Sequence, residues 1–379
     1  MNRIYLDFAA ATPLDDDVFD AMKPFFAEKF HNPSALYSGA RESRVSLERA
    51  RSDVARYIGA RPSEIIFTAG GSESTNLAIH GVMRKHPEAN LVISSVEHDA
   101  VRVPAQKYSC TQILVDTKGV LGTKNLTDSI DDKTVLVSIM LANNEIGTIQ
   151  PVSQVVSIVK EIRNSRKKRG IKTPLYVHTD ACQAPLYLDC HVSRLGVDLM
   201  TLNGGKIHGP KQSGILYVRA GIELEPLVYG GGQEFSLRSG TENVAFAVGF
   251  AKSLKNALSG RHERVQRVTG LRDYLMAELE SRFGAIVTGH KTHRIANNVH
   301  VIFPGHDNER ILFALDEMGV DVASGSACSA SKETSSHVLR SVGISKEDTR
   351  ASVRFSLGKT TTKEEIDQTL QKLSDALNA

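Results

Sequence analysis

Short apolar runs alternate along this chain with longer stretches in which apolar residues recur every three or four positions. Ile65-Ile66-Phe67-Thr68, Leu91-Val92-Ile93-Ser94, Val135 to Met140 and Leu175 to Thr179 are compact apolar runs bounded by turn residues, and they predict strands. Leu199-Met200-Thr201-Leu202 and Gly214-Ile215-Leu216-Tyr217-Val218 predict two more, separated by glycine, proline and polar residues. Between these runs the spacing predicts helices over 41–57, where Val45, Leu47, Ala50, Val54 and Tyr57 recur among charges, and over 74–84 and 151–167. Strand and helix alternating in this way predict an α/β fold built on a parallel-rich sheet.

The ends of the chain read differently. Residues 1–14 predict an extended arm with a short strand at Ile4-Tyr5-Leu6. A helix is expected from Asp15 to Phe30, broken at His31-Asn32-Pro33 because the residue before proline avoids helical geometry, which leaves Asn32 on a loop. After Gly240-Thr241-Glu242-Asn243, a long apolar helix is expected over 244–258 and a charged one over 262–283. Strands at 298–303 and 352–357, a helix at 309–318 and a last helix at 362–377 follow. Thr362 with Glu365 forms a capping box, and Ile366, Leu370, Leu373 and Leu377 line one face. The expected division is an arm (1–14), a large domain (15–260) and a smaller C-terminal domain (261–379), because 379 residues exceed what one core usually organises.

Charge narrows the partners. Lys+Arg 46 against Asp+Glu 43 leaves a net +3, too balanced for nucleic acid or an acidic membrane as the main partner. No stretch approaches the ~18 apolar residues of a membrane span. The basic block Arg163, Arg166, Lys167, Lys168 and Arg169 is expected to be a solvated helix end, since cations are favoured at a helix C-terminus. Cys110, Cys182, Cys190 and Cys328 lie far apart without paired metal-ligand spacing. No metal site is expected, and the reading is a cytoplasmic protein acting on a small substrate.

Candidate chemistry gathers at strand ends. Lys206 sits on the tight loop between the two predicted strands at 199–202 and 214–218, flanked by Gly204, Gly205, Gly209 and Pro210; it is either a solvated lysine or an amine able to form a Schiff base. Gly70-Gly71-Ser72 joins a strand to a helix, so it is either an anion-binding turn or a plain connection with Ser72 as N-cap. Asp180 ends a buried strand, as a helix cap or as the partner of a cofactor's protonated nitrogen. His98 and the Asn143-Asn144-Glu145 turn follow strands at the same sheet edge. Cys328, among glycine, alanine and serine, is an inert thiol or a reachable nucleophile. Arg354 faces away from Val353, Phe355 and Leu357, as a structural ion pair or a carboxylate receptor.

Taken in order, YLDFAAATP, NPSALYSGAR, FTAGGSESTNLAI, EHDAV, NNEIGTIQPV, HTDACQA, GGGQEFSLRSGTEN, SGSACSAS and SVRFSLGKTTTKEEID resemble the pyridoxal-phosphate-dependent cysteine desulfurases of the class V aminotransferase group. The resemblance spans nearly the whole chain. It implies a PLP-dependent transferase fold type I, with a mostly parallel seven-stranded sheet and a smaller α+β domain, and it implies pyridoxal 5'-phosphate as cofactor. Lys206 matches the Schiff-base lysine, Asp180 the partner of the pyridine nitrogen, and His98 the imidazole stacked on the ring. Asn144 and Gln183 match groups near the phenolic oxygen, and Gly71 and Ser72 the phosphate turn. Thr241 matches a residue reaching the phosphate of a neighbouring subunit, which implies a homodimer. Arg354 and Asn32 match the site for the substrate carboxylate, and Cys328 the nucleophile that takes sulfur from L-cysteine as a persulfide and releases alanine. The implied acceptor is a protein of iron-sulfur cluster assembly or tRNA thiolation. Alternatives are selenocysteine lysis, transamination or a non-catalytic sulfur-transfer scaffold.

One departure stands out. The family usually places a serine and a histidine three and one residues before the lysine, near the phosphate; here they are Asn203 and Gly205. The glycine-rich turn after the lysine is altered too, with Gln212 and Ser213. The expectation is that the Asn203 amide, with His208 as a second candidate, substitutes for the missing ligands.

Overall fold

The structure, a computed structural model, describes residues 3–325 and 336–378. Its strands are β1 (Ile4–Tyr5), β2 (Ile65–Thr68), β3 (Asn90–Ser94), β4 (Ser109–Ile113), β5 (Thr134–Ser138) and β6 (Tyr176–Asp180). They continue with β7 (Leu199–Asn203), β8 (Gly214–Val218), β9 (Ile286–Val287), β10 (Asn298–Ile302), β11 (Val320–Asp321) and β12 (Ser352–Ser356).

Seven of these make the central sheet, in the order β2-β8-β7-β6-β5-β3-β4. The pairings from β4 through β3, β5 and β6 to β7 are parallel, and β8 runs antiparallel to both β7 and β2. The apolar runs that predicted these strands are continuous because both faces are covered. Leu91, Ile93, Leu199, Leu216 and Val218 face the helix Gly71–Lys85 through Leu77, Ala78 and Val82. Val92, Val137, Val177, Met200 and Ile215 face the other way, into a cluster with Leu47, Val54, Phe250 and Leu254 from the helices Ser38–Ile58 and Val244–Leu258. That cluster continues through Leu275 and Leu279 of the helix Arg261–Phe283 to Val299, Val301, Phe355 and Leu370 under a three-stranded antiparallel sheet, β12-β10-β9.

The arm is tied to the C-terminal part. β1 pairs in parallel with β11, and Asp7 bridges to Ser356 at the end of β12. The capping box of the last helix, Lys363–Asn378, forms as expected: the Thr362 N–H donates to Glu365 Oε2 at 3.0 Å and the Glu365 N–H to Thr362 Oγ1 at 3.2 Å.

Three expectations need correction. The helix expected over 15–30 is two, Asp16–Met22 and Pro24–Ala27, because Pro24 has no N–H to continue the ladder and starts the second as a first-turn residue. The helices Asp99–Ala105 and Thr123–Ser129 and strand β4 were not foreseen; β4 is an edge strand of mostly polar residues, SCTQI, which carries no apolar run. The basic block is not wholly solvated. Arg166 is 2 % exposed and turns inward to donate to the carbonyls of Thr173, Pro174, Asp131 and Thr134, closing backbone acceptors at the base of the sheet. Lys167, Lys168 and Arg169 do stay exposed. Among the described residues no helix is long and apolar enough to cross a membrane.

Candidate active site

The carboxyl ends of the parallel strands open on one cavity, where ligands of such sheets gather. Its lining includes Lys206, Asp180, His98, Asn144, Gln183, Asn203, Gly71, Ser72 and Arg354, with Ala9 and Ala10 from the arm and Cys182. Nine of the residues singled out from the sequence are therefore brought together although they are spread over nearly three hundred positions.

Asp180 is the last residue of β6, 8 % exposed, and its Oδ1 accepts the Cys182 N–H at 2.9 Å. No helix follows it; the carboxylate holds a turn and faces the cavity, so of the two readings left open the helix cap is excluded. His98 begins the helix Asp99–Ala105 and accepts the Ala100 N–H on Nδ1 at 3.0 Å, which leaves Nε2 as the protonated nitrogen of the neutral ring. Its orientation is set by the helix it caps. Behind it, Glu97 is fully buried, with Oε1 accepting the Ser94 hydroxyl at 2.5 Å and the Met140 N–H at 2.9 Å. Burial pushes the Glu97 carboxyl up to about 8, with the Asp180 charge adding to it, so it is a neutral acid near pH 7.

Lys206 ends a single helical turn, Gly204–Lys206, opened by Asn203, whose Oδ1 accepts the Gly205 N–H at 3.0 Å. Its ammonium donates to the carbonyls of Ala9 at 2.8 Å and Ala10 at 2.5 Å. Gln183 Nε2 donates to the same Ala9 carbonyl at 3.0 Å. The Asn144 carbonyl accepts Arg354 Nη1 at 2.9 Å, and Arg354, 2 % exposed on β12, also donates from Nη2 to Asp7 at 2.7 Å.

The phosphate end can be tested on geometry. The helix Gly71–Lys85 begins after Gly70, whose φ of 122° only glycine adopts readily, so Ser72 is inside the helix and not its cap. The first-turn N–H groups have no acceptor within the helix and carry its positive end. A Cβ on Gly71 would come within 2.7 Å of Cys182 Sγ and 3.4 Å of Asn203 Nδ2, so the space over this helix start exists because position 71 has no side chain. An anionic group seated there meets backbone N–H donors with the Asn203 amide beside them, while Lys206 and Asp180 offer an amine and a carboxylate. The donor set fits pyridoxal phosphate. His208 does not take part: it is 2 % exposed, with Nδ1 3.1 Å from the Pro13 carbonyl and 3.5 Å from Asp15, on the arm side of the turn.

Two singled-out residues lie elsewhere. Asn32 is exposed and its Oδ1 accepts the Ser34 N–H at 2.9 Å, outside the cavity lining. Thr241 is exposed as well. Cys328 falls outside the described residues. In turn, Ala9, Ala10 and Cys182 line the cavity without having been singled out; the carbonyls of two alanines leave no mark in side-chain chemistry. Burial, then the Asp180 charge, push the Cys182 thiol well above its usual range, so it stays protonated and is a poor nucleophile.

Comparison with known proteins agrees with this geometry. Residues 4–369 match the family model described as Aminotransferase class-V. The chain is 41% identical over 379 residues to the "Cysteine desulfurase IscS" of Dictyoglomus turgidum, covering 98% of this chain and 93% of that protein. It is 38% identical over 375 residues to the protein of the same name from Methanosarcina thermophila, covering 97% and 90%. Among solved structures, a "NIFS-LIKE PROTEIN" superposes with a TM-score of 0.91 at 33% identity, covering 99% of both chains. "SspA in complex with cysteine" superposes at 0.80 with 30% identity, over 95% of this chain and 100% of that one.

Proposed function

The chain belongs to the class-V aminotransferase family and is a cysteine desulfurase that uses pyridoxal 5'-phosphate, and from that premise we propose how its own residues divide the work. The observation that carries the reading is the shared cavity: an amine, a strand-end carboxylate, a capped imidazole and a buried guanidinium open on one space.

Bound there, the cofactor supplies an electron sink for the charge that develops at the substrate's Cα. Lys206 would anchor it through Nζ, Gly71, Ser72 and Asn203 would hold its phosphate, and Asn144 and Gln183 would serve its phenolic oxygen. His98, fixed by its own helix, would pack on its ring. Asp180 would pair with the protonated ring nitrogen, because a carboxylate this buried is stabilised by a facing N–H. Arg354 receives the α-carboxylate of L-cysteine. Lys206 Nζ then takes the Cα proton and later returns a proton to carbon. The Cys328 thiolate forms an S–S bond to the substrate sulfur as the Cβ–S bond breaks. That electron pair stays with carbon, which is protonated, so the products are L-alanine and a persulfide on Cys328.

The persulfide is passed to an acceptor protein of iron-sulfur cluster assembly or tRNA thiolation. We place the enzyme in the cytoplasm; Cys110, Cys182 and Cys190 are all free thiols, as a reducing compartment requires. A homodimer is supported by the exposed apolar side chains Phe26, Phe30, Leu36 and Tyr37 and by Thr241, which is exposed and would reach a partner's phosphate site. We divide the chain into 15–260 around the seven-stranded sheet and 261–379 around the three-stranded one, with 1–14 as the arm.

The test is direct. The purified holoenzyme given L-cysteine and a thiol reductant is expected to yield equal amounts of L-alanine and sulfide. Lys206→Ala abolishes both, and Cys328→Ala stops sulfur release while leaving the visible cofactor absorption in place. Sulfide production persisting in Cys328→Ala would overturn the assigned nucleophile.

A further inference from the structure

A single turn of the N-terminal arm touches both ends of the cavity. Asp7 to Ala11 form a tight turn in which the Ala10 N–H donates to the Asp7 carbonyl at 3.0 Å. The Tyr5 hydroxyl, within 2.9 Å of both the Asp7 and the Ala11 carbonyls, ties the two ends of the turn. The turn is seated on β12: the Phe8 N–H donates to the Ser356 carbonyl at 3.2 Å, the Ser356 N–H to the Leu6 carbonyl at 2.7 Å, and the Ala9 N–H to Ser356 Oγ at 2.9 Å. Two residues before Ser356 on that strand is Arg354, and Asp7 reaches it. Two and three residues after Asp7, the carbonyls of Ala9 and Ala10 hold the Lys206 ammonium.

We propose that Asp7 is a positioning residue for Arg354 and thereby sets how strongly the enzyme demands an α-carboxylate in its substrate. The proposal rests on the reading of Arg354 as the carboxylate receptor. A guanidinium recognises a carboxylate through a planar fork, so its orientation matters as much as its charge. Arg354 is anchored at Nη2 by Asp7, at 2.7 Å, and at Nη1 by the Asn144 carbonyl, at 2.9 Å. Asp7 does not use the fork up. A guanidinium has five N–H donors; these two bonds take one from each terminal nitrogen, and Nε, buried, has no hydrogen-bond partner among the described residues. Donors for an incoming carboxylate remain. A resident competitor would have taken them, whereas a single bond at one corner fixes the plane.

The experiment separates the carboxylate from the rest of the ligand. L-Alanine and ethylamine share an amine and a methyl group and differ by the carboxylate, and each can be titrated into the holoenzyme while the visible cofactor absorption is followed. In Asp7→Asn the dissociation constant of L-alanine is expected to rise at least tenfold and that of ethylamine to stay within twofold. In turnover, KM for L-cysteine rises more than kcat falls. Asp7→Ser carries the same expectation if the asparagine variant does not fold. An unchanged ratio of the two dissociation constants, an equal rise in both, or tighter L-alanine binding would each overturn the proposal, the last by making Asp7 a competitor. Arg354→Lys, titrated in parallel, tells the two readings apart. If it too leaves the ratio unchanged, the assignment of Arg354 has failed; if it alone raises the ratio of the L-alanine to the ethylamine constant, Arg354 stands and Asp7 does not position it.

Discussion

Replacing Glu97 by glutamine should change how the stability of the protein depends on pH. Glutamine keeps the shape and an acceptor oxygen for the Ser94 hydroxyl and the Met140 N–H, and it removes a carboxyl that burial forces to titrate late. In the unfolded chain this carboxyl releases its proton near 4.5; in the folded protein burial holds it until about 8. Between those values the folded state carries more protons than the unfolded one, so stability falls as pH rises. The stability that the neutral acid contributes is complete below 4.5 and is gone above 8. At about 1.4 kcal/mol per pH unit the full loss is on the order of 5 kcal/mol. With an unfolding entropy of about 2.1 cal/mol/K per residue, that corresponds to roughly 6 °C in Tm for a chain of this length. Thermal unfolding of wild type and Glu97→Gln at pH 5, 6, 7 and 8 isolates the effect, because the buried histidines titrate alike in both proteins. The Tm difference should move in favour of glutamine by several degrees between pH 5 and 8. Parallel curves would show that Glu97 is not a late-titrating acid.

Two further outcomes follow from the same geometry. Asn203→Ala should weaken pyridoxal phosphate binding by about 10- to 100-fold, the range for one hydrogen bond to a charged group, as read by equilibrium titration of the apoprotein; unchanged affinity would remove Asn203 from the phosphate site. Glu234→Ala should lower stability by about 3–5 kcal/mol in chemical denaturation, because it removes the buried partner of Arg51, paired through two 2.7 Å bonds with both side chains at most 4 % exposed, and leaves that guanidinium with the exposed Glu48 and the Ile65 carbonyl. A loss below about 1 kcal/mol would mean that the pair does not hold the Glu234–Ser236 segment, whose three residues all have positive φ.

How much of this was legible from the amino acids depends on whether the information is local. The central strands could be read because each is a buried apolar run, and Val244–Leu258 agrees with the apolar pattern at both ends. β4 could not, since a polar edge strand differs little from a loop until its neighbour is known. Lys206, Asp180, His98, Ser72 and Arg354 were legible as chemical types, each with a structural alternative, whereas Asn32, Gln183, Asn203 and Thr241 were reached only through the family resemblance. Arg354 is in an ion pair with Asp7, its structural reading, and it also lines the cavity, where a carboxylate receptor would have to stand. His208 shows the opposite failure, where closeness in sequence to Lys206 suggested a role and the turn carries it to the other side.

The two glycines before Lys206 illustrate the same limit and also resolve it. They look alike in sequence, but a Cβ on Gly204 would meet Ser213 Oγ at 2.2 Å and the Pro210 carbonyl at 3.0 Å, so no side chain fits there. On Gly205 a Cβ would meet nothing nearer than 3.5 Å. The family's histidine at that position is therefore not shut out at its first atom, and the glycine is not a steric requirement of the turn. What holds position 205 is backbone: its carbonyl accepts both the N–H and the hydroxyl of Thr12 at 3.1 Å, and Thr12 in turn accepts the His208 N–H at 2.8 Å. The arm thus holds the turn from outside it. On the cavity side Asn203, whose Oδ1 is committed to the Gly205 N–H, presents its amide nitrogen next to Gly71. The altered phosphate end and the arm are two parts of one arrangement, and a change at Thr12 should be felt at the cofactor as much as one at Asn203.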